Sequence, residues 1–109
     1  MRPFALALPL SFASATVTSA GMVDTPRCRT DLAQANALIQ AVDNRTYKSP
    51  PRRNDQAAVC AVLRQNRLDM RAATEIMQRC MTGRDRDENV GQMVASLGDI
   101  EEVLARNCR

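Results

Sequence analysis

The chain has 109 residues, of which 45% are hydrophobic and 25% are charged, a composition typical of one globular domain. A net charge of +3 and only three aromatic residues exclude the basic, aromatic-rich surface of single-stranded nucleic-acid binders, so we expect no nucleic-acid partner. The sequence has no histidine and one lysine, which removes the commonest catalytic bases, and we expect no enzyme activity and no cofactor.

The first twenty residues have the order of a secretory signal peptide. Arg2 is followed by an apolar run over residues 4–12 and by small and polar residues that end at Ala20. We predict cleavage after Ala20, with cleavage after Ala15 as the alternative. The run is too short for a membrane anchor, which needs about 20 apolar residues. We therefore expect a secreted or periplasmic protein with no membrane span, whose single α-helical domain covers residues 21–109.

The first predicted helix covers about residues 31–43. Apolar side chains recur at steps of three and four residues across 32–42, which is the spacing of one buried helix face. Thr30 or Asp31 is the predicted N-terminal cap. Cys28 lies in line with the buried stripe and is expected just ahead of the first turn.

Two segments are predicted to be non-helical. Residues 21–27 lack apolar periodicity and should lead loosely into the first helix. Residues 44–53 contain Pro50 and Pro51, which exclude a helix and favour an extended crossover. The basic side chains of this crossover are expected to point into solvent and form a candidate interaction surface: Arg45, Lys48, Arg52 and Arg53.

The longest predicted helix covers about residues 55–82 and organises the rest of the chain. Asn54 or Asp55 is its predicted N-terminal cap, and Gly83 is its predicted C-terminal cap. Its seam residues alternate at steps of four and three, as in packed helices. They are Val59, Leu63, Asn66, Met70, Ala73, Met77 and Cys80.

Polar residues at 66–69 are the weak point of this helix. Asn66 interrupts the apolar seam, and Asp69 is able to cap a new helix. A break at this point would convert three helices into four, and the sequence leaves that alternative open.

The third predicted helix covers about residues 86–107. Asp85 and Glu88 have the spacing of a capping box at its start. Gly91 and Gly98 are seven residues apart on one edge, which predicts close approach of a neighbouring backbone. The predicted inner face consists of Val90, Val94, Leu97, Ile100, Leu104 and Cys108.

Four cysteines in an exported chain without histidine predict two disulfides and no metal site. Cys60 and Cys108 lie equally far from the turn expected at residues 83–85, so antiparallel packing places them opposite one another. Cys60 and Cys80 would be roughly 30 Å apart on one continuous helix, which leaves Cys28 as the partner of Cys80. The predicted fold class is all-α, a small disulfide-linked three-helix bundle.

The same antiparallel register predicts ion pairs between the last two helices. Arg67 should lie near Glu101, Arg71 near Asp99, and Arg64 near Glu101. A solvated, charge-paired face is the interpretation that these pairs favour.

Two functions from different classes fit the sequence. The first is a non-catalytic interaction or structural module of the cell envelope or extracellular space, which binds an unidentified protein through a helix face or the basic crossover. The alternative is a carrier of a small ligand or of copper(I), because thioether sulfur suits that ion. Methionine is more often a flexible core filler. The methionines concerned are Met70, Met77, Met81 and Met93.

Overall fold

The computed structural model describes residues 21–109, so the predicted signal peptide lies outside the described residues. These residues form three helices: α1 (Pro26–Asp43), α2 (Gln56–Cys80) and α3 (Gly83–Asn107). A π-helical turn, Asn44–Lys48, follows directly on α1. The predicted all-α class and the three-helix arrangement are confirmed for the part of the chain that the structure describes.

Helix α1 begins earlier than the sequence pattern predicts. Pro26 is its first residue, a position where proline is favoured because no backbone donor is needed there. The Thr25 hydroxyl accepts a hydrogen bond from the Cys28 amide at 3.1 Å, so Thr25 is the cap in place of Thr30 or Asp31. Cys28 therefore lies inside the first turn and not ahead of it.

The crossover is extended over only part of its length. The chain stays helical through Asn44–Lys48, where the sequence predicts extended structure. The reason is local, because Pro50 restricts the residue before it and leaves earlier residues free to be helical. The amide of Ser49 donates to the carbonyl of Asn44 at 2.8 Å and ends the π-helical turn.

Helix α2 is continuous, and the alternative break at residues 66–69 does not occur. Asp55 caps its start by accepting a hydrogen bond from the Ala58 amide at 3.0 Å. The helix ends at Cys80, two residues before the predicted end, because the two residues that follow are extended.

Residues 21–25 are not the loose leader that the sequence predicts. Met22 forms an antiparallel bridge with Met81, in the short link between α2 and α3. The amide of Val23 also donates to the carbonyl of Cys80 at 2.8 Å. The start of the described chain is therefore held against the α2–α3 link by backbone hydrogen bonds.

Helix α3 starts at Gly83, three residues before the predicted start. Gly83 has a φ of +64°, a left-handed conformation that glycine adopts without a Cβ clash. It was expected to end α2, but it opens α3 after a link of two residues. Asp85 consequently lies in the first turn of α3, and the predicted capping box with Glu88 is wrong.

The hydrophobic core lies where α1 packs on the C-terminal half of α2. Its smallest side chains are Ala35 on α1 and Ala73 on α2, which are both almost fully buried. Cys28, Ile76 and Cys80 complete the buried cluster. Alanine at the contact lets the two helices approach closely, so the core is compact and contains no aromatic residue.

Two disulfides tie the helices together, and they join the pairs that the antiparallel register predicts. Cys28 and Cys80 connect α1 to the end of α2, with their Cα atoms 5.2 Å apart. Cys60 and Cys108 connect the start of α2 to the residue after α3, with their Cα atoms 5.6 Å apart. Both separations are within the usual range for a disulfide.

Helix α3 packs less deeply than its sequence predicts. Leu104 is buried, but Val94 on the predicted inner face is 54% exposed. A Cβ atom added to Gly91 or Gly98 would meet no other atom within 4 Å, so the predicted close backbone approach is wrong. Helices α1 and α3 both pack mainly against α2, which leaves space between them.

Candidate interaction groove

An open groove lies between α1 with its π-helical turn and α3, and α2 forms its floor. We call this the α1–α3 groove; its volume is about 490 Å³. Its lining is mainly apolar and comes from all three helices. Representative lining residues are Ile39, Val42, Val62, Leu63, Met93 and Ile100.

The groove follows from how the helices pack. Because α1 and α3 contact α2 more than each other, no fourth element within residues 21–109 covers the apolar side chains between them. Tyr47, the one aromatic residue of the described chain, lines the groove and is 78% exposed. Exposed apolar surface of this kind favours contact with another molecule, since burial of such surface is stabilising.

A polar network fixes the π-helical turn against α2 at this groove. The Arg45 Nε atom donates to the Asn66 Oδ1 atom at 2.9 Å, and the Arg45 guanidinium also forms an ion pair with Asp69. The Asn66 Nδ2 atom donates to the Thr46 hydroxyl at 3.1 Å. Asn66 and Asp69, where the sequence allows a break in α2, are therefore the anchor points for the chain that follows α1.

This network corrects the predicted basic surface. Arg45 turns inward to α2, so it does not belong to a solvent-facing cluster of four cations. Lys48, Arg52 and Arg53 are exposed as predicted. The candidate surface on the crossover is thus reduced to three basic residues.

The ion pairs between α2 and α3 converge on one carboxylate. Arg67 pairs with Glu101 at 3.2 Å, as predicted. Arg71 also pairs with Glu101, at 2.6 Å, and not with Asp99. Arg64 donates to the carbonyl of Cys108 at 3.1 Å, so the expected contact with Glu101 is replaced by a bond to the chain end.

This arrangement leaves two acidic residues on the groove. Asp43 at the end of α1 and Asp99 on α3 both line it, and both are exposed. Within residues 21–109 neither of them forms an ion pair with another side chain. The groove therefore combines an apolar floor with one unpaired carboxylate on each flanking helix, while Arg45, the cation that also lines it, is paired with Asp69.

The methionines proposed as copper ligands are divided between two sites. Met70 and Met93 line the α1–α3 groove. Met77 and Met81 line a second depression, next to the start of the described chain. Because the four sulfur atoms are split in this way, the structure gives no support to a shared soft-metal site.

Two other kinds of site are absent from the described residues. Over residues 21–109 no group of three or more acidic, cysteine or histidine side chains is arranged to hold a metal ion. Nor is any helix of that part of the chain long and apolar enough to cross a membrane. All four cysteines are in disulfides, so the chain has no free thiol.

Comparison with known proteins gives no relative from which a function could be transferred. No family model, curated protein or solved structure matches the chain. The groove is therefore the feature from which a function is inferred.

The structural role of Asn66 gives a testable prediction. Asn66 is 3% exposed and bonds both Arg45 and Thr46. Replacing Asn66 with alanine leaves these groups without their partner and should lower the free energy of unfolding by about 1–3 kcal/mol, as for other buried hydrogen bonds. Urea unfolding measures the loss.

The matched control is Asn36→Ala, which removes the same side chain from an exposed position on α1. It should change stability by less than about 0.5 kcal/mol. Equal losses for the two variants would contradict the anchoring role of Asn66.

Proposed function

We propose that the protein is an exported, non-catalytic interaction module that binds an amphipathic helix of another protein in the α1–α3 groove. The observation that carries this proposal is the combination of an open apolar floor with Asp43 and Asp99 on the two sides. The expected partner segment has an apolar stripe flanked by lysine or arginine residues. Its polar face remains in solvent.

A helix fits the groove because of the architecture around it. Two helices already flank a central one, and a fourth helix laid between them would complete a four-helix arrangement. Binding of an amphipathic helix in a hydrophobic groove is a recurrent recognition mode. The acidic residues add orientation and selectivity, because opposite charges across an interface favour the correct partner.

Export is supported by two independent features. The sequence of residues 1–20 has the order of a signal peptide, with Arg2, an apolar run and a small residue at position 20. The two disulfides also suit an oxidising compartment such as the periplasm or the extracellular space.

A non-catalytic role is supported by the residues available. The chain contains no histidine, and its cysteines are all used in disulfides, so neither a histidine base nor a thiolate nucleophile is present. The acidic residues of the groove are exposed at its sides and serve better as charged contacts than as a catalytic pair.

The experiment begins with site-specific photo-cross-linking in the native compartment. A cross-linking residue at Ser96, which lines the groove, should capture one partner, while the same group at exposed Glu75 on α2 outside the groove should not. Mass spectrometry of the cross-linked peptide shows whether the captured segment is an amphipathic helix with flanking basic residues. Capture at both positions, or of a segment without that pattern, would contradict the proposal.

Charge reversal then tests recognition with the purified partner. Asp43→Lys combined with Asp99→Lys should raise the Kd at least about tenfold, because two attractive contacts become repulsive. The control pair Glu75→Lys and Glu88→Lys makes the same charge change at exposed positions outside the groove. Equal increases in Kd for the two pairs of substitutions would contradict specific binding of a helix from another protein. Capture of a second copy of this chain would contradict it as well.

A second candidate function is binding of a small apolar ligand in the same groove. The volume of about 490 Å³ and the lining by Met70 and Met93 favour it. Native mass spectrometry of protein purified from its own compartment would show such a ligand as an added mass. This measurement separates the two candidates, since a peptide-binding groove should be recovered without that mass.

A further inference from the structure

Gly21 is buried against the carboxylate of Asp85. A Cβ atom placed on Gly21 would lie 2.0 Å from the Asp85 Oδ2 atom, a distance that no real contact allows. Adding one bond from Cβ to Cα and one from Cα to nitrogen, about 1.5 Å each, puts the Gly21 nitrogen within about 5 Å of that oxygen. At that distance a positive charge on the nitrogen would be attracted directly by the carboxylate.

The position of Gly21 is fixed by the chain that follows it. The Gly21 carbonyl accepts a hydrogen bond from the Thr82 amide at 3.0 Å, and Met22 bridges Met81. These contacts attach Gly21 to the α2–α3 link, next to the first turn of α3. They do not depend on any residue before Gly21.

The Asp85 carboxylate has no cationic partner among residues 21–109. It lines the second depression, of about 410 Å³, together with Gly21 and one basic residue, Arg29. Arg29 is paired with Asp24 at 2.5 Å and forms no ion pair with Asp85. Among the residues that the structure describes, the charged groups on this depression are thus Arg29, which is already paired, and Asp85.

We propose that Asp85 receives the α-ammonium group that is created when the leader is cut after Ala20. The proposal rests on the proposed export of the protein. A signal peptidase would add one water across the Ala20–Gly21 peptide bond: the water oxygen goes to the Ala20 carbonyl carbon, leaving a carboxylate, and both water hydrogens end on the Gly21 nitrogen, leaving an ammonium group. Processing then converts an uncharged amide nitrogen into a cation beside an existing carboxylate, and the ion pair fastens the new chain end to the start of α3.

This assignment discriminates between the two cleavage sites. A larger residue at position 21 would place its Cβ at the Asp85 carboxylate, which would then turn away from the chain end. Cleavage after Ala15 would leave five further residues before Gly21 and put the charge elsewhere. Only the cut after Ala20 generates the cation at Asp85.

The single lysine of the chain makes a clean test possible. In a Lys48→Arg variant the α-amine is the only primary amine, so acetylation removes that charge alone. For exported, oxidised protein, acetylation should raise the unfolding equilibrium constant about fivefold, the upper end of the range for an ion pair with an exposed carboxylate. When Asp85→Asn is added to this variant, acetylation should change the unfolding equilibrium constant less than about twofold.

Asp87→Asn is the matched control, because it removes a nearby exposed carboxylate of α3 and should leave the fivefold effect intact. The rate of acetylation supplies a second reading that does not depend on stability. Pairing with Asp85 should slow modification of the α-amine relative to the unfolded chain, and Asp85→Asn should restore the faster rate. Equal acetylation effects with and without Asp85 would overturn the inference.

N-terminal sequencing of the same material separates the two proposals. A chain that begins at Gly21 but shows no coupling to Asp85 refutes the ion pair and leaves export standing. A chain that begins at Thr16 likewise refutes the ion pair and leaves export standing. Uncut protein retained in the cytoplasm would overturn both.

Discussion

Replacing Cys28 and Cys80 together with alanine should lower the free energy of unfolding by about 4 kcal/mol, and by more if the cavity left behind does not close. The disulfide spans 52 residues, and a loop of that size carries an entropy term of about 4 kcal/mol in the chain-entropy model. Cys80 is also 0% exposed, so truncation removes sulfur from the centre of the core. Urea unfolding monitored by circular dichroism measures the change.

The second disulfide is the control for this prediction. Cys60 and Cys108 span 48 residues, which gives almost the same entropy term, but Cys108 is only partly buried. Replacing this pair with alanine should therefore cost less than replacing Cys28 and Cys80. A larger loss for the Cys60–Cys108 pair would show that the core is not at the Cys28–Cys80 end, and removal of both disulfides should leave the chain unfolded.

An Ala73→Asp substitution should destabilise the protein by at least about 3 kcal/mol, because it places a carboxylate in the contact between α1 and α2. Ala73 is 0% exposed, and its neighbours in the core, including Ala35 and Ile76, offer no side-chain hydrogen-bond donor. The same urea unfolding experiment measures the loss.

Ala72→Asp is the matched control, since residue 72 is exposed on the same helix. Both substitutions carry the same change in helix propensity, of about 0.7 kcal/mol, so the difference between them reports burial. Losses within about 0.5 kcal/mol of each other would contradict the position of Ala73 between α1 and α2.

Helical periodicity and cysteine spacing predicted the architecture well. The seam from Val59 to Cys80 depends on a repeat within one element, and the Cys60–Cys108 pair depends on distances along straight helices. Both the repeat and the number of residues between the cysteines can be read directly from the sequence. The early start of α1 is harder to predict, because Pro26 fits a loop as well as the first turn of a helix, where proline is also favoured.

The candidate site was much less predictable. Arg45 bonds Asn66, which is 21 positions further along the chain, and Gly21 lies against Asp85, which is 64 positions further along (85 − 21). Neither contact has a local sequence pattern. The polar Asn66 at a seam position was a usable signal, since a buried amide requires partners, but its meaning as an anchor needed the tertiary structure.

The exposure of one edge of α3 could not be predicted from the sequence. Val94 and the edge with Gly91 and Gly98 were expected to pack inward, because apolar and small residues at helical spacing usually do. The spacing specifies one face of α3 but not the element that covers it. That edge stays exposed and lies outside the α1–α3 groove, whose lining on α3 is Met93, Ser96, Asp99 and Ile100.

Peptide mapping of the native, unreduced protein tests the central structural claim most directly. Trypsin cleavage after arginine and lysine places each cysteine on a different peptide: 28–29, 54–64, 80–84 and 107–109. We predict that 28–29 is recovered joined to 80–84, and that 54–64 is recovered joined to 107–109, with no free thiol. Recovery of 54–64 joined to 80–84 would contradict a continuous α2 and, with it, the three-helix fold and its groove.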